Sequence, residues 1–296
     1  MISIFPSRFT SPRTVSFVSL FVGGVVGYAE NTSFTNCKVD DQVCIYADDT
    51  NNDIVFGNPA ESAGGIAGKA TGGSFKNCIN CAIVAGGTRT GGIVGDFQSE
   101  SGAGKVEIID CLNTGLVLHA AKNCSGRLFE PYRNKLMPCV TRYYNGESYD
   151  VRSFRDMDDA KEVSPDRIII GGIAGKAVNV NISRCTNLGS IYTKYNYAAG
   201  IAGQSKDCNF VDCLTDFAYG DYYYDGLNKG VITISMYGIS EDASSCKMTN
   251  CLNMVNVKID NGSFTNSNNY TLGPSKSGVS SVTETQVAIG EICTKL

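Results

Sequence analysis

Tryptophan is absent from this chain of 296 residues, histidine occurs once and proline only seven times. Each scarcity removes a class of chemistry. With His119 as the lone histidine there is no HExxH zinc site and no multi-histidine metal centre. A Ser-His-Asp triad would have to use His119, and no nucleophile elbow accompanies it. Charge is sparse too: 18% of residues are charged and the net charge is −4, so the basic footprint of a nucleic-acid binder is missing. No run of 18 or more uninterrupted apolar residues occurs, which argues against a membrane-spanning helix. No window carries a sustained 3.6-residue apolar period, so helices are not the building block.

What is present is glycine, 33 of it, and much of it recurs in one phrase. Gly23-Gly-Val-Val-Gly27, Gly64-Gly-Ile-Ala-Gly68, Gly91-Gly-Ile-Val-Gly95, Gly171-Gly-Ile-Ala-Gly175 and Ala199-Gly-Ile-Ala-Gly203 are variants of it. A second phrase follows each and ends in cysteine: Cys37, Cys78, Cys111, Cys185 and Cys213. Met248-Thr-Asn-Cys251 is a sixth, preceded by a degenerate Tyr237-Gly-Ile-Ser240. In four of the five full units the cysteine lies ten residues after the last glycine. Self-similarity of this kind decides architecture before any other signal. The structural positions are therefore Gly64, Gly65, Gly68, Gly91, Gly92, Gly95, Gly171, Gly172, Gly175, Gly200 and Gly203, with the six cysteines.

Each unit reads as three short strands: the glycine phrase, the stretch ending in cysteine, and a third such as Ala82-Ile-Val84, Gly115-Leu-Val117, Gly189-Ser-Ile191 or Val255-Asn-Val257. Such strands cannot bury an apolar side alone and must stack. The expected fold is all-β, a right-handed parallel β-helix of about six coils with irregular insertions. Its expected parts are an N-terminal extension or cap (1–14), the solenoid (15–264) and a C-terminal closing segment (265–296). Three residues before each cysteine stands Phe34, Phe75, Ile108, Ile182, Phe210 or Met248. Positions −3 and 0 cannot both face inward in a flat strand, so a bulge or corner lies between them. Which side keeps the cysteine stays open. Two residues after it come Asn80, Asn113, Asn187 and Asn253, placed to stack as an amide ladder.

The glycine phrases, together with echoes such as Cys111-Leu-Asn-Thr-Gly-Leu-Val117, resemble the GLUG-motif repeats of bacterial surface and secreted proteins. The resemblance covers roughly 20–119 and 168–296. It implies an architecture and an extracellular or cell-surface setting, and no particular activity.

Thirteen cysteines is an odd number, so at least one thiol has no partner within the chain. In-register cysteines point the same way, which is poor geometry for a bridge, so the repeated ones read as reduced and buried. Cys124 and Cys139, outside the repeat, are the candidate disulfide. Cys78-Ile-Asn-Cys81 has CxxC spacing but lacks the second CxxC of a zinc site and the βαβ setting of a redox motif. Gly-Lys at 68–69 and 175–176 imitates a phosphate loop; the leading glycine and trailing Ser/Thr are missing.

The apolar stretch Val15–Val26 after Arg8 and Arg13 imitates a signal peptide. It also carries a full glycine phrase with its cysteine in place, which favours a folded first coil. The chain would then begin inside a longer polypeptide. The repeat is interrupted by an insertion at 120–168 and a long loop at 218–245. The insertion offers Arg142, Tyr143 and Tyr144, and the loop Tyr222, Tyr223 and Tyr224, residue types that favour interfaces and sugar stacking. Against this stands a plain covering flap. Asp48 to Asp53 has oxygens enough for weak calcium binding, but acidic turns are ordinarily just solvated. No metal and no cofactor are expected. The resulting expectation is a non-catalytic extracellular or surface repeat protein, acting in adhesion, presentation or spacing. Its partner would be a host or surface protein or a glycan. The alternatives are a carbohydrate-active β-helix enzyme and an accessory module of a larger secreted enzyme.

Overall fold

The computed structural model describes residues 13–17, 21–47, 61–86, 88–100, 102–119, 140–144, 147–151, 169–189, 191–192, 197–215, 235–237, 240–241, 245–253, 257–258, 264–265 and 279–281. Among these residues there is no helix. Apart from two antiparallel strand pairs, the described strands fall into five parallel sheets stacked along the solenoid. One coil visits all five in turn: Ser62–Gly64, Ala67–Thr71, Ser74–Lys76, Ile79–Asn80 and Ile83–Gly86. The next coil begins at Arg89, which pairs with Ser62. The chain is a parallel β-solenoid, with six strands on each of the first three faces. Rungs at the ordinary strand spacing are about 4.8 Å apart.

The number of strands per coil is larger than the sequence suggests. The glycine phrase is not one strand: Gly64 ends the first face, Gly65 and Ile66 form a bend, and Ala67 opens the second. The bend itself stays in the ladder. Ile66 N donates to Ile93 O, Ile93 N to Ile173 O and Ile173 N to Ile201 O, each at 2.9 Å. These four isoleucines are fully buried in vertical register. Val257 also departs from expectation. Val257–Lys258 pairs antiparallel with Phe264–Thr265 and does not continue the fifth face.

The second corner resolves the position −3 and position 0 conflict. The residue before each cysteine lies in the left-handed region: Asn36, Asn77, Asp110, Arg184, Asp212 and Asn250 have φ between 50° and 55°. That turn lets both −3 and 0 face the interior. Phe75, Ile108, Ile182 and Phe210 are fully buried, and so are Cys78, Cys185, Cys213 and Cys251. Phe34 stacks on Phe75 at 4.9 Å, and Phe97, from the second face of the next coil, meets Phe75 edge-on at 5.1 Å.

Connections of very different length share one corner. Between the fifth and first faces the connections are 48–61, 87–88, 120–168 and 193–196. The turn from the first face to the second is a uniform two residues in every coil. A smaller excursion, 99–105, leaves between the second and third faces and clasps neighbouring coils. Asn31 donates to Glu100 at 2.7 Å, and Asn179 donates to Ala103 O at 3.3 Å.

Candidate functional site

Three columns of polar groups run up the solenoid, and each has its own chemistry. The first is the buried asparagine ladder. Asn80 Nδ2 donates to Asn113 Oδ1 at 2.8 Å, and Asn113 Nδ2 donates to Asn187 Oδ1 at 2.7 Å. Each amide also donates to a carbonyl two residues on, of Ala82, Gly115 or Gly189. The ladder is shorter than expected: between Asn187 and Asn253 the register places Thr215, and Val39 occupies the position below Asn80. This column explains the second glycine of the phrase. A Cβ on Gly92 would lie 2.6 Å from Asn113 Oδ1 and 2.1 Å from the Gly172 carbonyl.

The second column is the cysteine stack. None of the ten cysteines among the described residues forms a disulfide. The Cys185 thiol sits 3.3 Å from the Ser183 carbonyl and 3.5 Å from that of Ile108 in the coil below. Cys213 repeats the pattern with Val211 and Ile182. The Cys111 thiol, hydrogen-bonded to Cys78, pushes the Cys78 pKa up, and burial adds to it. Burial pushes Cys111 and Cys213 well above the ordinary thiol value. A second short stack pairs Cys208 with Cys246, whose hydrogen bond raises Cys208. A thiol held neutral and away from water is neither nucleophile nor metal ligand. Among the described residues no group of three His, Cys, Asp or Glu is placed to hold a metal ion.

The third column is a row of charged and polar groups on the second face that the residue pattern did not single out. The last glycine of each phrase brings the second face against the backbone of the first: a Cβ on Gly95 would lie 2.6 Å from Ala63 N. The outward row of the second face reads Tyr28, Lys69, Asp96, Lys176 and Gln204 in register. On the adjoining first face stands Arg89. Its guanidinium donates to Asp96 Oδ2 at 3.1 Å and to Glu61 Oε1. Asp96 is 3% exposed. Burial raises its pKa against the opposing pull of Arg89, Lys176 and Lys69. Asp96 Oδ1 and Arg89 Nε are both buried and have no hydrogen-bond partner. At the lower end of the row the Phe21 and Tyr28 rings lie 5.9 Å apart, and Lys69 Nζ sits 5.0 Å over Phe21. One signal was available in the sequence: the residue after the glycine phrase changes sign, Lys69 to Asp96 to Lys176.

Residues 22–43 match the family model described as the GLUG motif. The match starts within the first strand of the first coil, Phe21–Gly23, and ends as the fifth-face strand Val43–Ala47 begins. A GLUG unit is therefore about one turn of the solenoid here, and the same phrases recur in the coils stacked on it. No curated protein and no solved structure matches the chain.

The recognition candidates are placed unevenly. Arg142, Tyr143 and Tyr144 lie on Val140–Tyr144, which pairs antiparallel with Glu147–Val151; the register sets Arg142 opposite Tyr149 and Tyr144 opposite Glu147. The insertion thus contains a β-hairpin. Tyr222, Tyr223, Tyr224, Cys124, Cys139 and the acidic stretch 48–53 lie outside the described residues. No described helix is long and apolar enough to cross a membrane.

Proposed function

We propose that this chain is a non-catalytic, extracellular or cell-surface GLUG-repeat rod that spaces and presents its insertions to a protein or glycan partner. The observation that carries the reading is the division of the molecule. The coil interior is filled by isoleucine, phenylalanine, cysteine and asparagine columns, while the connections between the fifth and first faces range from 87–88 to the whole of 120–168. Loops on a rigid repeat are free to vary and to bind. The GLUG match supports a setting outside the cell, and the hairpin supports 120–168 as the recognition excursion. The enzyme alternative needs three or more converging carboxylates in a groove; the charged row brings together two, Glu61 and Asp96, both engaged by Arg89.

The test is protease shaving of intact cells that express the full-length protein. It should release fragments of this chain without lysis, and replacing 120–168 by the two-residue link of 87–88 should abolish partner binding while the β-sheet circular dichroism persists. Protection of the chain until lysis would remove the surface assignment. Sugar release from a polysaccharide by the purified protein would replace the non-catalytic reading.

A further inference from the structure

The first coil lies at the lower end of the stack, yet it is built like an interior coil. Phe21–Gly23, Val26–Glu30, Ser33–Thr35 and Lys38–Val39 are each the terminal strand of their sheet, so one side of each has no described strand beside it. Val25 stands one rung below Ile66 in the isoleucine column, and its N–H donates to Ile66 O at 3.0 Å. Ile66 is fully buried, whereas Val25 is 47% exposed. Tyr28, on the same coil, is 46% exposed, and these two are the exposed large hydrophobic residues among the described ones. We propose that this open edge is a self-association surface: it takes the last coil of a second copy of the chain and extends the solenoid head to tail. The inference rests on the register of the coils and not on the recognition role given to 120–168.

The two ends of the stack match. On the first three faces the first-coil strands lie at one end of their sheets, and Ser235–Tyr237, Ser240–Glu241 and Lys247–Thr249 lie at the other. An unpaired strand edge is a template for another chain, and here each coil already pairs with the next through the same rows. A second copy stacked in that register sets its Met248 under Phe34, Lys247 under Ser33, Thr249 under Thr35 and Glu241 under Tyr28. No like charges meet in these pairs. The outer column of the left-handed corner supplies the direction. Its bonds are donated from the upper coil to the lower: Asn77 to Asn36 at 2.6 Å, Arg184 to Asp110 at 2.6 Å and Asn250 to Asp212 at 2.7 Å. Asn36 uses its oxygen in this bond and keeps its amide donors for a coil beneath. Asn250 uses a donor and keeps its oxygen for a coil above. Two first coils set against each other would bring donors from both sides, whereas head to tail the Asn36 donor meets the Asn250 oxygen. Such a contact is heterologous and does not close, so it propagates.

The experiment is sedimentation velocity of the intact chain from low micromolar to millimolar concentration. A monomer at the low end should give way to masses that pass the dimer and keep rising, with fibres in electron micrographs. Val25→Lys and Ser33→Lys should each raise the concentration needed for association about tenfold or more, the second by setting two lysines against each other across the joint. Both positions are exposed, so the melting temperature of the monomer should hold. Adding Lys247→Glu to Ser33→Lys should restore association, and failure to restore it contradicts the head-to-tail register. If Ser33→Lys does not fold, Val25→Lys decides. A monomer at every concentration overturns the proposal. Masses that stop at the dimer overturn it in favour of two first coils face to face, and association that both lysine substitutions leave intact overturns it as well.

Discussion

Two columns of asparagine climb this solenoid, and they meet opposite demands. The inner one, Asn80, Asn113 and Asn187, is fully buried, and each amide is bonded to its own coil and to the next. The outer one sits at the left-handed corner, where Asn36, Asn77 and Asn250 share the column with Asp110, Arg184 and Asp212. The inner column has no charged member; the outer tolerates even arginine. The difference is physical. A buried amide must find partners for every donor, whereas an exposed corner needs only a backbone that tolerates positive φ, which Asn and Asp do at lower cost than other non-glycine residues. The outer column then adds modest pairs, such as Arg184 to Asp110 at 2.6 Å and Asn77 to Asn36 at 2.6 Å.

Substitutions grade this contrast. Gly92→Ala should do most damage, because its Cβ would strike the Gly172 carbonyl and the Asn113 amide, both held by the ladder. A loss above about 4 kcal/mol, or failure to fold, is expected in urea denaturation; a loss below about 1 kcal/mol would mean the second glycine is not there for the ladder.

The neutral interior thiols come next. Cys78 and Cys111 have folded pKa values raised above the 9.0 of an ordinary thiol. The unfolded chain therefore ionises first. The stability these thiols provide is complete below pH 9 and is lost as pH rises above it, by up to about 1.4 kcal/mol per pH unit for each thiol. Denaturation at pH 8 and pH 10 should show this fall, and Cys111→Ala should make it shallower; an identical slope in the variant would contradict a buried, neutral Cys111.

Asn113→Ala should cost about 3 kcal/mol, since it opens a cavity and leaves the Asn80 donor and the Asn187 acceptor each short of a partner. The matching outer change, Asn77→Ala, should cost about 1 kcal/mol, chiefly through left-handed strain, the exposed hydrogen bond to Asn36 adding little. Equal losses at the two sites would erase the distinction between the columns. Arg184→Gly should be the smallest effect, within about 0.5 kcal/mol, as relief of strain offsets the loss of an exposed ion pair; chemical denaturation resolves a larger change in either direction.

The repeat was legible because its constraints are local and recur: glycine where the bend passes, an apolar residue three before cysteine, asparagine two after. The GLUG resemblance rested on the same phrases. What the chain order hid was the reason for each. Gly65 looks like part of a strand until Asn80, fifteen residues on, is seen to lie 2.5 Å from where its Cβ would be. The inward course of both −3 and 0 became readable only once the residue between them was found at positive φ. The charge cluster was illegible for another reason. Glu61, Arg89 and Asp96 come from two coils and two faces, and only the closure of the turn brings Arg89 within reach of both acids. Asn253 shows the limit of counting phrases, because a single threonine, Thr215, interrupts the ladder that spacing alone would have continued.

In-register stacking is the claim on which everything else depends, and a pulsed electron-resonance distance tests it most directly. Thr35 and Thr249 are exposed and occupy the same row of the third face, five rungs apart through Lys76, Ile109, Ser183 and Val211. Spin labels carried there on unnatural amino acids should give one narrow distribution near 24 Å at about 4.8 Å per rung. A broad distribution, or one centred far from that length, would contradict the solenoid.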